Sequence, residues 1–349
     1  MKRVMYISTL SYDIPTAEIE AIGKISSANN QKIGVTGVLL SAHEFFFQIL
    51  EGETEQIDRL VERIRLDPRH RDVLILRAEN DVSERLFPGW SMRTVRLGGE
   101  SDMILQAIRI MLENITQSHR IIERYTQPTV LRFLTRGINP LDIPVQKSER
   151  VILFGDMVGF SFLSQKFPVD EVAEVVNAYL SVSSQNIADH GGEVTKYVGD
   201  CVMAHFPCEQ ADNAIAACLK TLRDLQAMRG QAHACRLMKF LYTGFGLSKG
   251  TVIEGNIGSP IKLDYTVLGN TVNLAARLES LTRGIGRAIA ISSEVRRCAR
   301  QDWPFEPVGA FKLKGQDGTC EVYSIDDPAV VDCQTHDELI RNMELFCAV

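Results

Sequence analysis

The first two hundred residues of this chain contain no cysteine. The eight that follow, scattered from Cys201 to Cys347, never form a CxxC pair. No Cys/His spacing suits zinc, which argues against a structural zinc site. What remains is a set of packed thiols in a reducing compartment. No run of about 18 apolar residues exists, the length a membrane helix needs. The opening MKRVMYIS is too short in its apolar stretch for a signal peptide. These absences place the expected protein in the cytosol, without a membrane. No block of Lys or Arg stands out and the net charge is -6, which argues against a nucleic-acid partner. A P-loop is missing, and GFGLSKG has the wrong spacing for a dinucleotide fingerprint.

What is present is ordinary globular protein, 349 residues with 45% hydrophobic and 23% charged, enough for two domains. Residues 1–97 alternate between strand and helix patterns. RVMYIS reads as a strand, residues 15–30 as a helix, TGVLLSA and EFFFQIL as a hairpin across Ala42-His43, and 53–66 as an amphipathic helix. DVLILRAE and WSMRTVRL supply two more strands. The order β-α-β-β-α-β-β suggests a ferredoxin-like α+β sandwich. Residues 101–125 have helical apolar spacing, which serves either packing on the same domain or a dimer seam. Residues 126–149, with Pro128, Gly137, Pro140 and Pro144, read as a joint. From Arg150 a second α+β alternation begins. It includes a helix over 168–189, a hairpin over GGEVTKYVGDCVMAHF, a helix over 209–229, a glycine-marked hairpin over FLYTGFGLSKGTVIEGNIGS and a helix over 270–281. AIAISSEV then reads as a strand, FKLKGQDGTCEVYSI as a last hairpin, and HDELIRNMELF as a short terminal helix.

The second half carries the chemistry-bearing spacing. Asp156 ends the apolar run VILF, where a carboxylate is poised to hold a hard cation. Asp200 stands at a hairpin tip. If their strands are neighbours, the two carboxylates converge, and a divalent ion resolves their repulsion. The competing reading is a cap and a turn residue. Asn273 and Arg277, four apart on one helix face, suit an anion on a sugar or phosphate, or else lie on a solvated face with an Arg277–Glu279 or similar surface pair.

Taken in order, FGDMVGFS, GGEVTKYVGDCVMAHF, DYTVLGNTVNLAARLE and KLKG resemble the catalytic domain of class III nucleotidyl cyclases over residues 150–325. The resemblance implies that Asp156 and Asp200 bind two Mg²⁺ or Mn²⁺ ions. It implies that Lys196 and Thr266 read the adenine of ATP, that Asn273 orients the ribose, and that Arg277 stabilises the transition state. Lys314 falls near the lysine that touches the terminal phosphates. It further implies a homodimer, with Asn273 and Arg277 entering the partner's site. A lysine offers only donors, which suits adenine N1, so ATP is expected over GTP. One departure is Gly269-Asn270, where relatives often have Gly-Asp.

MYIS, ANN, FFFQILEG and FPGWSM resemble a BLUF flavin photoreceptor domain over residues 1–97. The matching residues are Tyr6, Asn30, Gln48, Trp90 and Met92. Gln48 within FFFQIL is also odd on physical grounds, since a buried amide without partners costs about 1–3 kcal/mol. A bound heteroaromatic would satisfy it. Arg63 either reaches a flavin phosphate or lies on a solvated face. In that family, blue light moves an electron and a proton from the tyrosine through the glutamine to FMN or FAD. Met92 or Trp90 would pass the change on.

Together the two halves resemble the photoactivated adenylyl cyclases. The implied layout is a sensor over 1–97, a dimerising helix and linker over 98–149, a catalytic domain over 150–326 and a tail over 327–349. Two rivals remain. One is a diguanylate-cyclase-like enzyme, since GGEVT is similar to its glycine-acid hairpin. The other is a light-dependent binding module with a degenerate cyclase half.

Overall fold

The computed structural model describes residues 1–12, 14–42, 45–96, 103–231, 236–313, 318–333 and 336–347. The chain divides into two compact units, Met1–Ile143 and Pro144–Val349.

In the first unit the elements run β1 (Lys2–Leu10), α1 (Thr16–Lys32), β2 (Thr36–Ala42), β3 (Phe45–Gly52), α2 (Thr54–Arg65), β4 (His70–Glu79), β5 (Arg93–Arg96), α3 (Met103–Tyr125) and α4 (Pro128–Thr135). The sheet order is β4-β1-β3-β2-β5. The first four strands have the ferredoxin-like order, all neighbours antiparallel, and β5 joins the edge parallel to β2. Strand side chains alternate between faces. Val4 and Tyr6 of β1 and Phe46 and Leu50 of β3 therefore share one face, against Ile19 and Ile22 of α1 and Ile57 and Val61 of α2. Ile7, Phe45 and Phe47 face the other way and meet Ile108 and Leu112 of α3. The α3 stripe thus packs on its own sheet. It also leaves Ile110, Met111, Ile115, Ile121, Ile122 and Tyr125 exposed.

In the second unit the elements run β6 (Gln146–Met157), α5 (Phe160–Lys166), α6 (Val169–Asp189), β7 (Glu193–Val198), β8 (Cys201–Pro207), α7 (Ala211–Gly230), β9 (Thr243–Ser259), β10 (Lys262–Leu268), α8 (Asn270–Ile285), β11 (Ile289–Ser292), α9 (Ser293–Cys298), β12 (Phe305–Phe311), β13 (Cys320–Ile325), α10 (Pro328–Val331) and α11 (His336–Cys347). The sheet order is β12-β13-β11-β9-β6-β8-β7, with β10 paired to β9. Val151 and Leu153 of β6 face α6 and α7, packing with Val175, Tyr179, Ile215 and Leu219. Ile152 faces α8, packing with Val272 and Ala275. By the same alternation Asp156 belongs to the α8 face.

Four local expectations change. FLYTGFGLSKGTVIEGNIGS is not a hairpin: Thr243–Ser259 is one long strand, whose hairpin partner is β10. Its glycines serve packing instead. An added Cβ at Gly246 would lie 2.1 Å from the Ala275 carbonyl oxygen and 2.2 Å from the Glu279 nitrogen, so these glycines let α8 lie close on the sheet. AIAISSEV leaves the strand at Ser292, whose side chain accepts from the Val295 N–H and starts α9. Among the described residues of WSMRTVRL the strand begins at Arg93 and runs to Arg96, because Trp90 sits in a preceding turn. The joint contains a helix, α4, with Pro128 at its first position, where the missing N–H has no cost.

Candidate functional site

In the first unit β1 and β3 pair with Tyr6 opposite Gln48. The Tyr6 hydroxyl donates to Gln48 Oε1. Gln48 Nε2 donates to the Met92 sulfur at 3.3 Å. All three side chains are buried, and burial pushes the Tyr6 phenol well above its usual value. Asn30, at the end of α1, is buried and donates to the Ser91 carbonyl at 3.0 Å. The sequence-marked Tyr6, Asn30, Gln48 and Met92 thus meet along one side of the sheet. A thioether is a weak acceptor. Gln48 therefore keeps donor capacity toward a heteroaromatic edge, and the donor set fits a flavin.

Trp90 lies nearer the surface, stacked on Phe87 with ring centroids 5.4 Å apart and the Arg93 guanidinium 4.6 Å above it. Arg63 is exposed on α2, opposite the Ile57 and Val61 stripe that packs against Tyr6, so the fold does not bring it to this cluster.

Two supports escaped the sequence reading. Glu51, buried on β3, accepts from Arg3 Nε at 2.6 Å and from the Leu86 and Phe87 N–H groups at 2.9 and 3.0 Å. It pins the loop that leads to Trp90 and Met92. His70 packs at the edge of Tyr6, with ring centroids 6.3 Å apart, and bonds Ser8 Oγ at 2.7 Å. Their partners are strands distant in sequence, so no local pattern reveals them.

In the second unit Val198 pairs with Cys201, leaving Gly199-Asp200 as a two-residue turn with Gly199 left-handed at φ +65°. This aims Asp200 into a cleft of about 450 Å³, lined also by Asp156, Met157, Gly159, Phe160, Ser161, Arg283 and His336. Asp200 is only 9% exposed, and its Oδ2 makes no hydrogen bond among the described residues. Burial, then the Asp156 charge beside it, pushes its carboxyl up to about 7. Among the described residues no three His, Cys, Asp or Glu side chains form a ready-made cage. A hard cation held by two carboxylates takes its other positions from water and substrate phosphates, so the pair fits such an ion.

The other marked residues sit around the sheet. Lys196 is half-buried on β7 and Thr266 is buried on β10, with its Oγ1 unpartnered among the described residues. Asn273 is exposed on α8. Arg277, half-buried one turn later, has its Nη1 buried and without a partner among the described residues. Lys314 lies outside the described residues.

Sequence reasoning missed Arg283 and Glu279, both on α8. Arg283 Nη2 donates to Asp156 Oδ2 and stands 3.2 Å from Glu279 Oε1. Glu279, placed above as a surface-pair candidate, is 5% exposed; burial pushes its carboxyl up to about 7. The i,i+4 spacing of Glu279 and Arg283 was visible, but not that α8 runs to the end of β6.

A buried phenol–amide pair beneath two helices, and two convergent aspartates on a second sheet, define the class. Residues 1–93 match the family of sensors of blue-light using FAD (BLUF), and residues 143–327 match the adenylate and guanylate cyclase catalytic domain. The chain belongs to the adenylate and guanylate cyclase family, with a BLUF sensor ahead of the catalytic domain.

Within that class it is similar to photoactivated adenylate cyclase subunit alpha of Euglena gracilis, 32% identical over 83% of this chain and 28% of that protein. It is also similar to the photoactivated adenylate cyclase subunit beta-like protein FB of the same organism, 28% identical over 94% of this chain and 38% of that one. The chain thus spans about a third of the length of the curated relatives it matches. Over 99% of its length it superposes on a bacterial light-regulated adenylyl cyclase, with a TM-score of 0.91 and 42% identity, covering 100% of that structure. Among the described residues no helix is long and apolar enough to cross a membrane.

Proposed function

We propose that this protein is a blue-light-activated adenylyl cyclase that converts ATP to 3′,5′-cyclic AMP and pyrophosphate in a homodimer. The observation that carries the reading is the convergence of Asp156 and Asp200 in one cleft of the cyclase-family unit, on a chain whose other unit buries Tyr6 against Gln48. The proposed division is a sensor over 1–97, a connector over 98–149, a catalytic domain over 150–326 and a tail over 327–349.

Divalent cations, two per site, when bound acidify the ribose 3′-OH and neutralise the triphosphate. Asp156 and Asp200 hold them. Lys196 donates to adenine N1, and the unpartnered Thr266 hydroxyl accepts from the amino group. Asn273 orients the ribose, and Arg277 offers its unpaired Nη1 to the charge that builds on the phosphoryl oxygens. Lys314 is assigned to the terminal phosphates. In the dimer, Asn273 and Arg277 serve the partner's cleft. The exposed apolar side of α3 supports a second copy as its occupant.

A flavin, FAD or FMN, when bound supplies blue-light absorption and an electron acceptor. Tyr6 and Gln48 hold the proton path, and the Gln48 bond to Met92 makes β5 and its approach sensitive to the Gln48 orientation. From there the route runs by α3 and the joint into the catalytic dimer. The test is purified, flavin-loaded protein with Mg²⁺-ATP, in darkness and under blue light, with cyclic AMP quantified. Product rising with light supports the reading. Equal product removes the coupling, and none removes the enzyme.

A further inference from the structure

Arg283 ends a line of charges that the assigned chemistry does not use. Its guanidinium lines the cleft with Asp156 and Asp200. On one side it donates to Asp156 Oδ2. On the other it stands 3.2 Å from Oε1 of Glu279, one helical turn earlier, which is buried behind the cleft and, among the described residues, otherwise accepts only from Ser280 Oγ at 3.3 Å. One cation is thus shared by two carboxylates, one facing the cleft and one behind it.

Two carboxylates crowded at one strand end repel unless a positive charge lies between them. Arg283 supplies that charge from within the chain. A divalent ion bound between Asp156 and Asp200 would draw on the same carboxylate and fill the same electrostatic position. A guanidinium and a metal ion disfavour each other there, because like charges at close range repel in a half-buried site.

We infer that Arg283 is a resident counter-ion that competes with the divalent cation for Asp156, and that Glu279 receives the guanidinium when the cation enters. The exchange needs no helix movement, since Arg283 already reaches both carboxylates from its place in the last turn of α8. Arg283 is a positioning residue: it keeps the empty site compact and leaves when the site loads. The inference rests on Asp156 and Asp200 being the cation ligands.

The test is Mn²⁺ binding to the nucleotide-free, full-length protein, read from the electron paramagnetic resonance of free Mn²⁺. Arg283→Gln removes the competitor, and its Kd should fall roughly tenfold. Glu279→Gln removes the resting place, and its Kd should rise several-fold. Asp200→Asn checks the underlying reading. If it leaves Mn²⁺ binding unchanged, the cation assignment falls, and the Arg283 inference with it. If Asp200→Asn weakens binding but Arg283→Gln leaves it unchanged or weaker, the inference alone is overturned.

Melting temperature separates exchange from scaffolding. Arg283→Gln should melt lower than the parent in EDTA and recover most of the loss with Mn²⁺. An equal deficit in both conditions marks a merely structural arginine. A crystal structure with Mn²⁺ and a non-hydrolysable ATP analogue should place the guanidinium on Glu279, and finding it still on Asp156 would overturn the exchange.

Discussion

Tyr6 donates its hydroxyl to Gln48 across the β1–β3 pair, and Gln48 passes its own donor to the sulfur of Met92. Tyr6→Phe keeps the ring and the packing but removes the donor. Flavin binding and dark cyclase activity should persist, while the light-induced shift of the flavin spectrum and the light-driven rise in cyclic AMP should vanish. Absorbance before and after a blue pulse, with product assays in parallel, checks this.

Lys196 and Thr266 stand on β7 and β10, each with the polarity that adenine requires. Lys196→Glu reverses that polarity. It should lower kcat/KM for ATP by about two orders of magnitude and raise it for GTP, because a site built around one set of donors rejects the opposite set. Initial rates with both nucleotides decide. An unchanged ATP preference ends the role assigned to Lys196.

The shared-site arrangement makes a complementation prediction. Asp200→Ala and Arg277→Ala should each be inactive alone. Mixed in equal amounts, they should recover roughly a quarter of parent activity, since half of a random two-fold population is mixed and each mixed dimer holds one intact site. No recovery would place Asp200 and Arg277 in the same protomer's site.

Asp212, at the start of α7, accepts from the Arg300 N–H at 2.9 and 3.1 Å, from the Gln301 N–H at 3.1 Å and from Trp303 Nε1 at 2.8 Å. Burial opposes its ionisation. The Arg300 N–H, the Trp303 indole and the Gln301 N–H outweigh it and hold the carboxyl below its usual 3.8. Asp212→Asn should cost about 1–3 kcal/mol of stability at neutral pH. A depressed carboxylate contributes stability above its ordinary pKa and loses it as pH falls through the lower folded value. The gap between parent and variant in urea melts should therefore narrow in acid.

Gly246→Ala touches no assigned substrate contact, yet its Cβ would drive α8 off the sheet. The expected loss is about 1–3 kcal/mol of stability. Dark activity should also fall, because Asn273, Arg277, Glu279 and Arg283 all ride on that helix.

Much of this molecule is determined by its sequence alone. Period-two alternation puts Gln48 on the same face as Phe46, Leu50 and, across the pair, Tyr6. Gly199-Asp200 between β-rich runs makes the turn that carries Asp200. The ordered motifs around Asp156, Lys196, Thr266 and Asn273 are local, and local patterns are readable because backbone sterics and side-chain periodicity act over a few residues.

Other features were decided only by the tertiary structure. Gly246 and its neighbours looked like hairpin punctuation, but they are the clearance for a helix that follows in sequence and lies over them in space. Glu279 looked like a surface acid and is buried, because which face of α8 meets the sheet depends on β6 and β9. The Arg283–Asp156 pair joins residues 127 apart in the chain. Burial, ion pairing and shifted protonation depend on which distant groups the fold brings within a few ångströms, and no spacing along the chain records that.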